Sequence, residues 1–360
     1  MSTAILFNGA ASYIAQEAGI LDLLLGNVEG VPGVGLNIQD VKFVGGLSSG
    51  ALMSFVFNAA FCDSPKLSWD EFKQKTLFTM TTDQVYTGEK PFDTSPLREL
   101  LKGITEQVGY TLIKDLPFDS AILATNVYFE GLKLKTKTYW LTNIAKVASV
   151  LPSQTDELAI AKNIKEHQLE LRLVSSLMCS TAIPQTFPEQ ELYYQGTPIP
   201  PLNLPFVLRI KNSANIAANF VDGGVGDGMV FSDYQEFFEA YGEKFDKIYF
   251  ISPNFAKTEA EALQRISVAK RSGALEELEE PEPAMDPLLV MDTWTKEFLK
   301  DIKAYNSDKH LANTIYYCKP EVEGFNALNF SNEKEQYDAT IDWGKNNPNN
   351  IAIDISTITL

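Results

Sequence analysis

Histidine is scarce in this chain, with only His167 and His310 among 360 residues. A mechanism that needs an imidazole base therefore has two candidates. His167 closes a polar, surface-type helical stretch, and His310 follows the turn-like run Asn306-Ser307-Asp308-Lys309. Cysteine is nearly as rare. Cys62, Cys179 and Cys318 are odd in number, far apart and set in apolar stretches, so they read as buried free thiols in a reducing compartment. Basic side chains are outnumbered, 30 against 47 acidic, for a net charge of -17. That balance argues against nucleic acid as a partner and against simple adhesion to anionic membranes. No apolar run reaches the length of a bilayer span, and no basic leader precedes Lys42, the first Lys or Arg. A cytoplasmic protein is the expectation. Gly30, Gly33 and Gly35 follow a helical segment instead of joining a strand to a helix, so a dinucleotide fingerprint fails on context. The alternating oxygen ligands of a calcium loop are missing from Asp222 to Asp227. No metal and no cofactor are expected.

What is present is an ordinary globular composition, 45% hydrophobic and 21% charged, on a chain long enough for a large core. The centre of gravity is Val41 to Ala60, VKFVGGLSSGALMSFVFNAA. Val41 to Gly45 reads as a buried strand, and the apolar run after Ser49 reads as a buried helix. Between them Gly46-Leu47-Ser48-Ser49-Gly50 is a GxSxG string in the strand-to-helix context of a nucleophile elbow. Gly46 and Gly50 flank Ser48 where a Cβ would collide, and the positive end of the following helix favours negative charge near the hydroxyl.

In chain order, Ala4 to Phe7 is a strand, followed by the small-residue loop Asn8-Gly9-Ala10-Ala11-Ser12 and a helix from Tyr13 to Leu25. Such a loop presents backbone N–H groups to an anion. Ser68 with Glu71 predicts a capped helix to about Met80, and Ser95-Pro96 starts another with Leu97, Leu100, Leu101 and Ile104 on one face. Ser120 to Phe129 and Thr136 to Leu141 read as a strand pair, Thr155 to Glu166 as a surface helix, and Leu171 onward as an apolar helix stopped by Pro184. Strands follow at Pro205 to Lys211 and at Asn219 to Asp222, the latter ending in Asp222-Gly223-Gly224. Helix Ser232 to Tyr241, strand Lys247 to Ser252 and helix Thr258 to Arg271 continue a βαβα rhythm that implies a mostly parallel sheet with helices on both faces. Residues 275–287 are a Glu/Pro insertion within a single domain spanning 1–346. Helix Leu288 to Tyr305, strand Asn313 to Cys318 and a last helix Glu333 to Trp343, closed by Gly344, complete the core, and 347–360 form a tail.

On these motifs the chain resembles the patatin-like phospholipase family over most of its length. The elbow Gly46 to Gly50 matches, as do Asp222-Gly223-Gly224, the serine-rich helix at Ser175-Ser176 and Ala182-Ile183-Pro184-Gln185-Thr186-Phe187-Pro188. Phe92-Asp93-Thr94-Ser95-Pro96-Leu97 also matches a family segment, and Ala18-Gly19-Ile20-Leu21 falls where the family often has Ala-Gly-Val-Leu. The resemblance implies a three-layer α/β fold and a lipid acyl hydrolase with Ser48 as nucleophile and Asp222 as general base. It further implies an oxyanion hole at Gly9, Ala10 and Ala11, with Gly46, Gly50, Gly223 and Gly224 as support. Its partners would be a lipid or acyl-ester substrate and a transient lipid surface.

The family's glycine-rich loop keeps only Gly9 here, and its basic residue is Tyr13. Gly228 and Val230 stand where the family has Asn and Pro. Alanine donates a backbone N–H as glycine does, but each alanine held at positive φ costs on the order of 1 kcal/mol. A dyad suits a chain so poor in histidine, because Asp222 takes the serine proton directly. A Ser-His-Asp triad is the weaker reading, since 48 residues leave little room for the strands that usually precede its nucleophile. The competing class is a patatin-like protein without catalysis, used in storage, structure or binding. Phe187, Phe206, Phe231 and the helix from Leu288 to Trp294 are candidates to receive acyl chains, and each is better suited to the core.

Overall fold

A computed structural model describes residues 1–31, 33–130, 133–150, 159–184, 186–195, 197–198, 219–224, 231–253 and 287–358. Strand β1 (Thr3–Asn8) leads to α1 (Ile14–Leu25), β2 (Val41–Leu47) and α2 (Ser49–Phe61). Short helices α3 (Trp69–Phe72) and α4 (Thr82–Val85) precede α5 (Ser95–Val108). The hairpin β3 (Asp119–Glu130) and β4 (Lys133–Thr142) is followed by α6 (Ala145–Ala148), α7 (Ala159–His167) and α8 (Leu173–Ser180). Then come β5 (Gln190–Glu191), β6 (Tyr193–Tyr194), β7 (Thr197–Pro198) and β8 (Asn219–Asp222). The last part carries α9 (Phe231–Tyr241), β9 (Phe245–Ile251), α10 (Pro287–Lys309), β10 (Ala312–Cys318), α11 (Glu333–Asn346) and β11 (Ile353–Asp354).

The main sheet has the order β11-β10-β9-β1-β2-β3-β8-β5, with β4 also paired to β3. Strands β10, β9, β1, β2 and β3 are mutually parallel, and β11, β4, β8 and β5 add antiparallel edges. The period-two pattern of the strands sorts their side chains onto two faces. Ile5, Phe7, Tyr249 and Cys318 point to a core shared with α1, α2, α5 and α8. Ala4, Leu6, Phe43, Ile248 and Phe250 point to the opposite core, closed by aromatic side chains of α9 and by Phe298, Leu299 and Ile302 of α10. The result is the expected α/β fold, a mostly parallel sheet between two helical layers.

Several sequence expectations need correction. Helix α8 ends at Ser180, because Thr181 caps it before Pro184 is reached. The segment after Ser68 is capped as expected, with Ser68 Oγ accepting from Glu71 N–H, but α3 is one turn long and widens into a π-turn over Lys73–Leu77. Helix α11 continues through Gly344 to Asn346. A Cβ at Gly344 would lie 2.4 Å from a methyl of Leu23, and one at Gly19 2.8 Å from Thr340. These two glycines let α1 and α11 approach closely, and neither stops a helix. The expected strand 205–211, helix 258–271 and most of the Glu/Pro run lie outside the described residues.

Two buried acids tie stability to pH. Glu17, in the first turn of α1, is fully buried with no hydrogen-bond partner among the described residues, and burial raises its carboxyl well above 4.5. Burial also pushes Glu333 up to about 8, against the pull of the Glu333 and Asn332 backbone. Below pH 4.5 folded and unfolded chains both hold these protons. Above it the unfolded chain releases them first, so their effect is a loss of stability as pH rises toward the folded values. Denaturant titrations from pH 4.5 to 8 should show Glu17→Gln/Glu333→Gln gaining on the wild type as pH rises. A difference that does not change with pH would remove the assignment.

Candidate active site

Ser48 joins β2 to α2 at φ 53° and ψ −131°, a conformation that costs an L residue on the order of 1–3 kcal/mol. The neighbours enforce it. A Cβ on Gly46 would lie 2.2 Å from the Gly50 carbonyl oxygen, and one on Gly50 2.2 Å from that of Phe7. The strand and the helix therefore close on each other to within a glycine's thickness, as the GxSxG spacing requires. The Ser48 N–H donates to Ser180 Oγ at 3.0 Å.

Asp222 is placed by strand register. Leu47 of β2 pairs with Leu123 of β3, and Ala124 of β3 pairs with Asp222 of β8. Over 121–130 one edge of β3 is taken by β4, so β8 lies on the same edge as β2, and Asp222, opposite Ala124, comes directly beyond the end of β2, where the chain reaches Ser48. Both residues are only 4% exposed. The Asp222 carboxylate accepts from Gly224 N–H at 2.8 Å through Oδ1, and the Asp222 N–H donates to the Ala182 carbonyl at 2.9 Å. At Gly223 a Cβ would meet the Leu123 carbonyl oxygen at 2.3 Å, so the turn after the aspartate needs glycine.

The loop after β1 lies against the elbow, because a Cβ at Gly9 would fall 2.4 Å from the nitrogens of Ser49 and Gly50. Two of its three expected oxyanion donors are engaged. Gly9 N–H donates to the Leu47 carbonyl at 3.1 Å, and Ala10 N–H donates to Ser49 Oγ at 2.9 Å. Ala11 takes the strained conformation, φ 50°. The loop is clamped from behind by Ser12 N–H on the Ala327 carbonyl, Ser12 Oγ on the Asn326 carbonyl and Tyr13 OH on the Phe325 carbonyl. Relief of the alanine strain, offset by the greater freedom of an unfolded glycine, predicts that Ala11→Gly raises unfolding free energy by about 0.5 kcal/mol. Denaturant unfolding checks this, and a destabilised variant would contradict it.

Neither histidine belongs here. His167 stacks on Tyr194 with ring centroids 3.8 Å apart and lies 3.7 Å from Glu170, while exposed His310 precedes β10, at the N-terminal end of the parallel strands, and the elbow follows the C-terminal end of β2. Of the expected acyl-receiving residues, Phe187 is buried among Tyr86 and Phe92, and Tyr86 also touches Phe330. Phe206 and the side chains of Phe231 and Leu288 to Trp294 lie outside the described residues. Among the described residues no group of three or more His, Cys, Asp or Glu is arranged to hold a metal ion, and no helix is long and apolar enough to cross a membrane. Ser49 and Ser180 are contributors that the motifs did not single out.

No family model and no curated protein matches the sequence. Among solved structures, the chain is similar to a crystal structure of VipD from Legionella pneumophila, at a TM-score of 0.35 and 10% identity. That likeness covers 95% of this chain and 66% of the VipD chain. At this distance it carries nothing about chemistry, and the site rests on its own geometry.

Proposed function

We propose that the chain is a patatin-like acyl-ester hydrolase that works through a Ser48-Asp222 dyad. The observation that carries this reading is a serine held at positive φ at the head of a buried helix, level with a buried aspartate whose turn is fixed by glycine. Ser48 Oγ attacks the ester carbonyl as Asp222 takes its proton. The oxyanion develops beside the N-terminal amides of α2, a favourable place for negative charge. The proton passes to the leaving alcohol, and water, deprotonated by the same aspartate, releases the acyl group. The substrates are acyl esters of lipids, and a net charge of -17 favours neutral or zwitterionic head groups.

A second reading draws on the engaged Gly9 and Ala10 amides: a patatin-like protein that keeps the fold and serves in binding, storage or structure. Fluorophosphonate labelling separates the two. Intact mass and peptide mapping should find one adduct, on Ser48, absent from Ser48→Ala. A folded wild type that takes no adduct would establish the non-catalytic reading.

A further inference from the structure

We propose that Ser180 is the positioning residue of this site, tethering the nucleophile's backbone to the strand that ends in the dyad aspartate. The proposal rests on the dyad reading above. Ser180 is fully buried at the last turn of α8. Its hydroxyl donates to the Leu123 carbonyl at 2.6 Å, which commits its single proton and leaves its lone pairs for Ser48 N–H at 3.0 Å. Its own carbonyl accepts from Gly223 N–H at 3.2 Å, and the Ala182 carbonyl accepts from Asp222 N–H at 2.9 Å. One short segment, Ser180 to Ala182, therefore contacts the end of β2, the middle of β3 and the end of β8.

The tether acts on two coordinates at once. It helps hold Ser48 at positive φ, where relaxation would swing Oγ away from Asp222, and it fixes the height at which β8 stops. Ser175 and Ser176, on the same helix, bond instead to the Arg172 carbonyl and have no part in this.

The experiment is fluorophosphonate inactivation kinetics on wild type, Ser180→Ala and Ser180→Thr, with amide hydrogen exchange at Ser48 read by NMR. Loss of one neutral hydrogen bond predicts an inactivation rate constant about tenfold lower for Ser180→Ala. The reagent's binding constant should stay unchanged, threonine should restore the rate, and the Ser48 amide should exchange faster in the alanine variant. A folded Ser180→Ala that reacts at the wild-type rate overturns the proposal. If the wild type takes no label, the dyad reading fails by itself, and Ser48 exchange still decides the tether: faster in the variant upholds it, unchanged refutes it. Should Ser180→Ala not fold, Ser180→Cys keeps the volume with a weaker acceptor and is read in the same way.

Discussion

Asp222→Asn is expected to fold normally and to hydrolyse acyl esters about 10²- to 10⁴-fold more slowly than the wild type, the range lost with a general base. Asparagine keeps the carbonyl oxygen that accepts from Gly224 N–H, and the bonds from Asp222 N–H and Gly223 N–H belong to the backbone and survive. What disappears is the charge that, in the proposed dyad, takes the Ser48 proton. Because the residue is only 4% exposed, a neutral amide relieves the burial of that charge, so stability should hold or rise. The expected signature is a protein of equal or higher denaturation midpoint with little ester turnover and slow fluorophosphonate labelling. Hydrolysis at the wild-type rate would mean that another group is the base. Neither histidine fills that role, since His167 is stacked on Tyr194 and His310 lies at the opposite end of the parallel strands from the elbow.

The parts of this site that were legible in the sequence are those written in short-range steric rules. The alternation Ala4, Leu6 against Ile5, Phe7 is a strand buried on both faces, and the structure divides those pairs between two cores. Gly46 and Gly50 could be read because their collisions are with carbonyl oxygens a few residues away or on the adjoining strand. Long-range polar contacts leave no such trace. Ser180 reaches Ser48 across 132 residues, and Ser49 captures the Ala10 amide across 39. No periodicity or cap distinguishes these serines from Ser175 and Ser176. Gly344 misled for a related reason, since a glycine at the end of an amphipathic run looks like a stop signal. Its real constraint is Leu23, on a helix at the other end of the chain. The loop after β1 shows the same limit. Its backbone donors were foreseeable, but their acceptors depend on how the loop settles against α2.

Behind that loop, α1 is held by a charge cluster whose disruption should have the largest effect on stability. Asp22 is 1% exposed and accepts from four side chains: Asn27 Nδ2 at 2.9 Å, Trp69 Nε1 at 2.8 Å, Lys73 Nζ at 2.5 Å and Tyr337 OH at 2.6 Å. The bonds join α1 to α3 and α11, and Lys73 lies over the rings of Trp69 and Tyr337. Asp22→Ala would strand the buried ammonium of Lys73, an indole N–H and a phenol at once. Removing one partner of a buried ion pair typically destabilises by about 3–5 kcal/mol. Asp70 remains 3.1 Å from Lys73, but its side chain is 86% exposed, so it compensates little and the expected loss is about 3 kcal/mol. Asp70→Ala, the matched control, should lose less than about 1 kcal/mol. Denaturant unfolding of both variants checks the pair, and similar small losses would show that the hydrophobic contact between α1 and α11, packed through Gly19 and Gly344, holds the layer without the charge cluster.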